Sequence, residues 1–347
     1  MTSNATLPER LRLAPGRAAL WRSPTCLQLG LDHQRAMVLD NLSEPLAALL
    51  QRMDGIRSTA QLLAEAQAAG SPCHDARTML VELHRCGLVQ DATAADHGPP
   101  SWHRAALATE AASWSVHITH TTRDMLRRRR EAAVRVRGSG RVTVAVATAL
   151  ATAGVGHVAV HACGSVTAAD LGTGYQPGDL GRSRTEAAAD AVRRCAPEVI
   201  ITDRRRPDLI VLCDVLVPEP AMVTELIGTR IPHVIGYAHE GTAVVGPMVW
   251  PGRSSCLRCA ELHRADLDVA WPKLAAQLVG QIPSAGLACT QLAAALITEQ
   301  VLAALAGPSA GLPAPPTWST TLELDPVRGS LRHHPRPAHP RCSCGAR

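Results

Sequence analysis

The chain has 347 residues and a formal net charge of +5, so it is long enough for two or three domains and too weakly basic to require a nucleic-acid partner. Phe is absent and aromatic residues make up 2 % of the chain, so the core must consist mainly of Leu, Val, Ala and Ile. The sequence has no uninterrupted run of about eighteen apolar residues, so no membrane span is predicted. The N-terminus lacks the apolar segment of a signal peptide. We therefore expect a cytoplasmic protein whose eleven cysteines are metal ligands or core residues rather than disulfides.

Residues 1–92 are predicted to form a small winged-helix-like α+β domain. The stretches AALWRSP, CLQLGL and QRAMVLD predict three short strands, three helices follow them, and LVQD returns as a strand. Ser58 or Thr59 is predicted to cap the second helix, and Gly87 to end the third.

Residues 93–125 show no sustained periodicity and are predicted to be a linker. The arginine run at 127–130 is read either as a solvated lead-in to a strand or as a contact for phosphates or a partner. Over residues 126–347 strands such as AAVRVRG, HVAVHA, EVIITD and DLIVLCD alternate with helices. This alternation predicts an α/β domain with a mostly parallel sheet that is covered on both faces.

Two glycines follow the first strand of this larger domain. Gly138 and Gly140, in the stretch GSGRV, place backbone N–H groups and a helix N-terminus where a phosphate could bind. Thr143 occupies the position of the usual third glycine. The alternative is a turn with only a structural role.

Two cysteine pairs are the strongest chemical signal. Cys256 and Cys259 form one pair, Cys342 and Cys344 the other, and two such pairs on tight turns can converge on a tetrahedral zinc ion. We predict a structural zinc site with these four ligands. The alternatives are that His339 replaces one cysteine, or that the cysteines form a redox dithiol or stay free.

Four stretches in a fixed order carry a family resemblance: GSGRV with LATAGVGHVAV, then GDLGRSRTEAAADAV, then PDLIVLCD, then the paired cysteines. This order resembles that of ThiF/MoeB-type adenylyltransferases of the ubiquitin-activating superfamily, over about residues 130–347. The resemblance implies a Rossmann-like ThiF-type domain, ATP as the family's cofactor, and a zinc site whose second pair lies near the C-terminus.

The chemistry-bearing residues of that family are largely replaced. Its Asp-x-Asp after the second strand reads Ala162 and Gly164, its Asn-Leu-x-Arg and Asp-Asn motifs are missing, and Asp214 is interpreted as a strand-end residue. The family's phosphate-contacting lysine becomes Arg184, which keeps the charge. We therefore predict no catalytic residue and a catalytically degenerate domain, with Gly138, Gly140 and Arg184 as the residual ATP-binding positions.

The N-terminal segment resembles the PqqD-like element that grips leader peptides of ribosomally made natural products. The resemblance lies in LQLGLDHQRAMVLDNLSEPLAALLQRMDGIRSTAQLLAEA and ARTMLVELHRCGLVQDA. Together with a degenerate ThiF-type domain, it implies the leader-binding scaffold of azole-forming (TOMM) cyclodehydratases, which presents a precursor peptide to a YcaO-type or other modifying enzyme. We expect a homodimer without membrane or nucleic-acid partners.

The peptide is predicted to add as a strand at the edge of the third N-terminal strand, beside the third helix. The residues predicted to contact it are Arg35, Met37, Val38, Leu39, Arg77 and Arg85. The alternative is that the following domain covers this edge.

Two other functions compete with the scaffold. One is an active ATP-dependent adenylyltransferase that activates the C-terminus of a carrier protein or peptide. The other is a winged-helix DNA-binding protein, which the third helix disfavours because ARTMLVELHRCG offers few side chains that read bases.

Overall fold

The chain divides into two units, Met1–Arg127 with Pro308–Leu312, and Arg128–Gly307 with Pro313–Arg347. The structure, a computed structural model, describes residues 7–14, 16–34, 36–92, 102–118, 122–203, 205–307 and 312–346.

The first unit consists of short strands and helices. In chain order its elements are β1 (Arg10–Leu13), β2 (Ala19–Ser23), β3 (Cys26–Leu29), β4 (Met37–Leu39), α1 (Glu44–Gln51), β5 (Asp54–Ser58), α2 (Thr59–Ala68), α3 (Cys73–Arg85), β6 (Val89–Asp91) and α4 (Trp102–Trp114), and α5 (Thr122–Glu131) continues into the second unit. The strands form two antiparallel sheets, one in the order β5-β1-β6 and one in the order β2-β3-β4.

Leucines fill the core of the first unit, as the lack of Phe requires. Leu27 and Leu29 of β3 pack with Leu50 of α1 and with Leu80 and Leu83 of α3, all at most 2 % exposed. Burying an aliphatic side chain of this size stabilises the fold by about 2 kcal/mol. One face of the sheet β2-β3-β4 therefore packs against the helices.

The sequence predicted β2, β3, β4 and all three helices of residues 1–92, but not β1 or β5. Ser58 caps α2 and forms a capping box with Gln61, as predicted. β1 and β5 were missed because they are stabilised by pairing with each other over more than forty residues, which local patterns do not reveal. Helix α4 lies within the segment predicted as a linker.

The second unit is an α/β domain. Its elements after α5 are β7 (Ala133–Arg137), α6 (Arg141–Thr152), β8 (His157–His161), α7 (Arg184–Cys195), β9 (Leu209–Cys213), α8 (Pro220–Thr229), β10 (His233–His239), β11 (Thr242–Val249), α9 (Leu257–Leu267), α10 (Trp271–Leu278), α11 (Leu287–Ala306), β12 (Thr320–Asp325) and β13 (Ser330–Pro335), with short 3-10 turns at Ala168–Asp170 and Pro177–Asp179.

One seven-stranded sheet organises this unit, in the order β13-β12-β11-β10-β9-β7-β8. The pairs β10–β9, β9–β7 and β7–β8 are parallel, and the pairs from β10 to β13 are antiparallel. The predicted α/β class is confirmed. Because β9 lies beside β7, the loops after these two strands meet at the same edge of the sheet.

Helix α11 supplies much of the core by packing on α6, β10 and β11. Among the described residues it is long and apolar enough to cross a membrane by length and composition, yet half of it is buried inside the protein. Core helices of sheet proteins meet the same two criteria.

Two sequence expectations for this unit were wrong. The stretch EVIITD is not a strand and contributes a single bridge between Ile200 and His157, the first residue of edge strand β8. The basic tail holds the further strand β13, which pairs along all of β12.

The arginine run at 127–130 lies at the end of helix α5, shortly before β7. Arg127, Arg128 and Arg130 are exposed, in agreement with a solvated lead-in, whereas Arg129 is buried and donates to the carbonyl of Ala153.

Candidate functional site

The glycine loop connects β7 to α6 and fits closely against the end of β9. A Cβ on Gly138 would collide with the carbonyl oxygen of Cys213, and a Cβ on Gly140 would lie 2.6 Å from Cγ of Asp214. Only glycine allows the loop to lie this close to β9. The loop therefore has a packing requirement for both glycines, independent of any ligand.

Asp214 directs its carboxylate at the first turn of α6. Its Oδ2 accepts hydrogen bonds from the N–H of Gly140 (3.0 Å), the N–H of Thr143 (2.9 Å) and the hydroxyl of Thr143 (2.7 Å), and its Oδ1 accepts from the N–H of Val142 (3.4 Å). Asp214 has a left-handed backbone, with φ 56°, and is 5 % exposed. Burial raises the pKa of this carboxyl group, while the hydrogen bonds from α6 act in the opposite direction.

Arg184, at the start of α7, is also bound to its own chain. Its Nη2 and Nε donate to Oδ2 of Asp170 at 2.9 and 3.3 Å, and its Nη1 donates to the carbonyl of Cys163 at 3.0 Å. The two charged side chains are 12 % and 8 % exposed. Arg184 thereby links the loop after β8 to the 3-10 turn at Ala168–Asp170.

The loop after β8 carries no acid at the two positions the ThiF-type motif would use. The N–H of Ala162 donates to the hydroxyl of Thr185, and the N–H of Cys163 donates to the hydroxyl of Ser139 in the glycine loop. Gly164 has a left-handed backbone, with φ 78°. These two hydrogen bonds thus hold the loop to α7 and to the glycine loop.

The four cysteines predicted as metal ligands lie together. Their sulfurs are all within 4.8 Å of one another: Cys256 is 3.8 Å from Cys259 and 3.6 Å from Cys342, and Cys259 is 3.6 Å from Cys344. A disulfide needs about 2.05 Å, so no pair is bonded. Four sulfurs at 2.3 Å from one tetrahedral ion would lie about 3.8 Å apart, which these separations match. The cluster therefore fits a metal ion.

Helix α9 and the tail form the cysteine cluster. Cys256 precedes the first residue of α9 and Cys259 lies in its first turn, and both are buried. Near the other end of α9, Asp266 contacts the guanidinium of Arg341 and lies 2.8 Å from Nε2 of His339. His339 is thereby committed to Asp266 and is not a fifth member of the cluster, which leaves the four-cysteine set.

The predicted peptide edge is β4. It pairs with β3 along Met37, Val38 and Leu39, and β4 ends the order β2-β3-β4. Met37 and Leu39 pack against the core of the first unit, whereas Val38 is 43 % exposed.

The arginines predicted for the peptide site have different settings. On α3, Arg77 is exposed, and Arg85 forms a 2.8 Å ion pair with Glu82. Arg35 lies outside the described residues.

Comparison with known proteins identifies part of the chain. Residues 115–219, which include the glycine loop, Arg184 and Asp214, match the ThiF family. This chain carries a ThiF-type domain. The whole sequence matches no curated protein.

Solved structures resemble the chain over nearly its full length. E. coli MccB with succinimide has a TM-score of 0.72 at 15 % identity, over 96 % of this chain and 99 % of that one. The microcin C7 biosynthetic enzyme MccB in complex with N-formylated MccA has a TM-score of 0.72 at 14 % identity, over 97 % and 99 %. PaaA has a TM-score of 0.68 at 15 % identity, over 93 % and 99 %. At these identities the likeness establishes the fold.

Two residues of the ThiF-type domain gain roles that the sequence did not reveal. Asp214 was interpreted as a strand-end residue, and Asp170 was not singled out. The signal for Asp214 was its position directly after a buried strand. Its target in α6 became visible only once the sheet order placed β9 beside β7.

Proposed function

We propose that this protein is a leader-peptide-binding scaffold that presents a ribosomally made precursor peptide to a YcaO-type or other modifying enzyme. The observation that carries the proposal is the edge strand β4, in a chain with the fold of MccB, which has been solved in complex with N-formylated MccA. The ThiF-type domain serves as the platform for the partner and performs no adenylyl transfer in this proposal.

Edge strand β4 provides the chemistry for binding an extended peptide. A strand that ends a sheet presents unpaired N–H and C=O groups, and a peptide can add there as a further strand. The alternation at β4 suits this role, because Met37 and Leu39 anchor the strand while Val38 is exposed. The exposed Arg77 on α3 supplies positive charge for acidic leader residues, whereas the charge of Arg85 is offset by Glu82, for which a leader carboxylate would have to compete.

We assign zinc to the cysteine cluster, since a set of four thiolates in tetrahedral spacing is typical of structural zinc sites. Zinc would be held by Cys256, Cys259, Cys342 and Cys344 and would fasten the tail to α9. In this proposal the protein works in the cytoplasm as a homodimer, and ATP is used by the partner enzyme.

Replacing Val38 with proline in the full chain tests the peptide role. Proline removes the N–H of Val38 and fixes its φ, so the strand can no longer offer a regular edge, whereas Val38→Ala keeps the backbone. Calorimetry with the leader of a precursor peptide encoded beside this protein should show at least a tenfold loss of affinity for Val38→Pro, about 1.4 kcal/mol, and little change for Val38→Ala.

Circular dichroism and the retained metal content of Val38→Pro provide the control for folding. A folded Val38→Pro protein that binds the leader as tightly as the wild type would remove β4 from the proposal. A wild-type protein that gives no heat with that leader would remove the recognition role itself.

The second candidate is an active adenylyltransferase that activates a peptide or carrier-protein C-terminus, favoured by the similarity to E. coli MccB solved with ATP. Pyrophosphate–ATP exchange with the same precursor peptide distinguishes the two functions. Exchange clearly above background would establish adenylyl transfer, and its absence alongside leader binding supports the scaffold.

A further inference from the structure

The chain places one of its own anions at the phosphate position of the glycine loop. A helix N-terminus offers unpaired N–H groups and the positive end of the helix dipole, which is why phosphates bind there. The N–H groups of Gly140, which precedes α6, and of Val142 and Thr143 in its first turn all donate to Asp214. The donors that would meet a phosphate are therefore already used.

The geometry leaves no room for a second anion at these donors. Cγ of Asp214 lies 2.6 Å from the place where a Cβ of Gly140 would be, and Asp214 itself is 5 % exposed. The left-handed backbone of Asp214, at φ 56°, directs its side chain back into the loop. Non-glycine residues adopt this conformation only at an energetic cost, which the four hydrogen bonds from the glycine loop and the first turn of α6 offset here.

Arg184, which stands at the position of the ThiF-type family's phosphate-contacting lysine, is neutralised in the same way. Arg184 donates to Asp170 and to the carbonyl of Cys163, so its guanidinium is also paired within the chain. The loop and the arginine each hold a carboxylate of the protein where a nucleotide would bring phosphate oxygens.

We propose that Asp214 is an internal ligand of the glycine loop that closes the phosphate position, so that the wild-type chain excludes phosphate groups there. This closure is a separate property from the proposed leader binding, which is assigned to the first unit. In the proposed scaffold, adenylyl transfer is therefore prevented in two ways: the family's catalytic residues are replaced, and the phosphate position is occupied.

Two substitutions that both accept the left-handed backbone at residue 214 test the closure. Asp214→Gly empties the position, and Asp214→Asn keeps its volume but removes the charge, and both residues accept the left-handed conformation. Each should lower the melting temperature by about 5 °C, because the N–H groups of α6 lose a charged acceptor. Inorganic pyrophosphate should restore the melting temperature of Asp214→Gly and leave Asp214→Asn and the wild type unchanged.

Equal responses of all three proteins to pyrophosphate would overturn the proposal, as would a folded Asp214→Gly protein that gains no pyrophosphate binding. The wild type decides the case if Asp214→Gly does not fold. Its amide resonances of Gly140 and Thr143 should stay in place during titration with pyrophosphate, and movement of those resonances would show that the position is open. Leader binding is measured separately, so either proposal can fail alone.

Discussion

The cysteine cluster and the glycine loop, both in the second unit, differ in whether the chain itself supplies the ligand. Each uses the first turn of a helix, α9 for the cysteines and α6 for the loop. At α9 four sulfurs face one another at 3.6–3.8 Å for the neighbouring pairs, a set that a cation would satisfy. At α6 the donors already hold the carboxylate of Asp214. A ligand motif therefore indicates a binding site only where the chain has not supplied the ligand itself.

Removing two ligands of the cysteine cluster should have the largest effect. In Cys342→Ser with Cys344→Ser, the expected one zinc per chain should be lost, because two thiolates cannot complete a tetrahedral site. Metal binding is coupled to folding, so the free energy of unfolding should fall by about 5 kcal/mol or more. Elemental analysis and chemical denaturation measure the two effects.

The matched control is Cys163→Ser with Cys195→Ser, which replaces an exposed and a half-buried cysteine of the same unit. It should retain the metal and most of the stability. Wild-type protein that is metal-free as purified, fully folded and indifferent to added zinc would remove the contrast between the two sites.

The sequence could predict both motifs because each is local. The four cysteines sit in two short spacings, and the two glycines sit between a strand and a helix, so a few consecutive residues contain the whole pattern. The structure brings the four cysteines together and places the glycine loop at the start of α6. The helices of the first unit were predictable for the same reason, since caps and helical spacing are short-range signals.

The side chains that bind the glycine loop and position the tail of the cysteine cluster were not predictable, because their partners are distant in the sequence. Asp214 is more than seventy residues from the N–H groups that it binds, and it reaches them only since β9 inserts next to β7. Asp266 and Arg341 are separated by a similar length of chain. β1 and β5 escaped prediction on the same ground, because they pair with each other over more than forty residues. β13 lies close in sequence to its partner β12 and was missed because its own residues are mostly polar and basic.

Asp266 should have an intermediate effect, on the cysteine side of the comparison. It contacts His339 and Arg341, and the N–H of Cys342 donates to the carbonyl of His339, so Asp266 positions the tail that carries two of the four cysteines. Asp266→Ala should weaken metal retention about tenfold, in the range of other residues that orient ligands. Competition with a chromogenic chelator measures the affinity.

Asp268→Ala is the control, because Asp268 lies at the end of the same helix and its carboxylate accepts only a local hydrogen bond, from the N–H of Ala270, among the described contacts. It should leave the metal affinity unchanged. Equal losses for both variants would assign the effect to the end of α9 rather than to the contact with the tail.

Thr143→Val should have the smallest effect and tests whether Asp214 is bound or merely packed. Thr143 is fully buried, and its hydroxyl donates to Oδ2 of Asp214 at 2.7 Å, so an isosteric valine removes one hydrogen bond to a charged acceptor at nearly constant volume. The free energy of unfolding should fall by about 1.5 kcal/mol. Thr148→Val, on the same helix, removes a hydroxyl that donates to the carbonyls of Val144 and Ala145 in its own helix, and such a bond adds little to stability. Urea denaturation should separate the two variants by more than about 1 kcal/mol. Indistinguishable variants would mean that the carboxylate of Asp214 gains nothing from the hydroxyl of Thr143, so that the N–H groups of Gly140, Val142 and Thr143 alone would hold it.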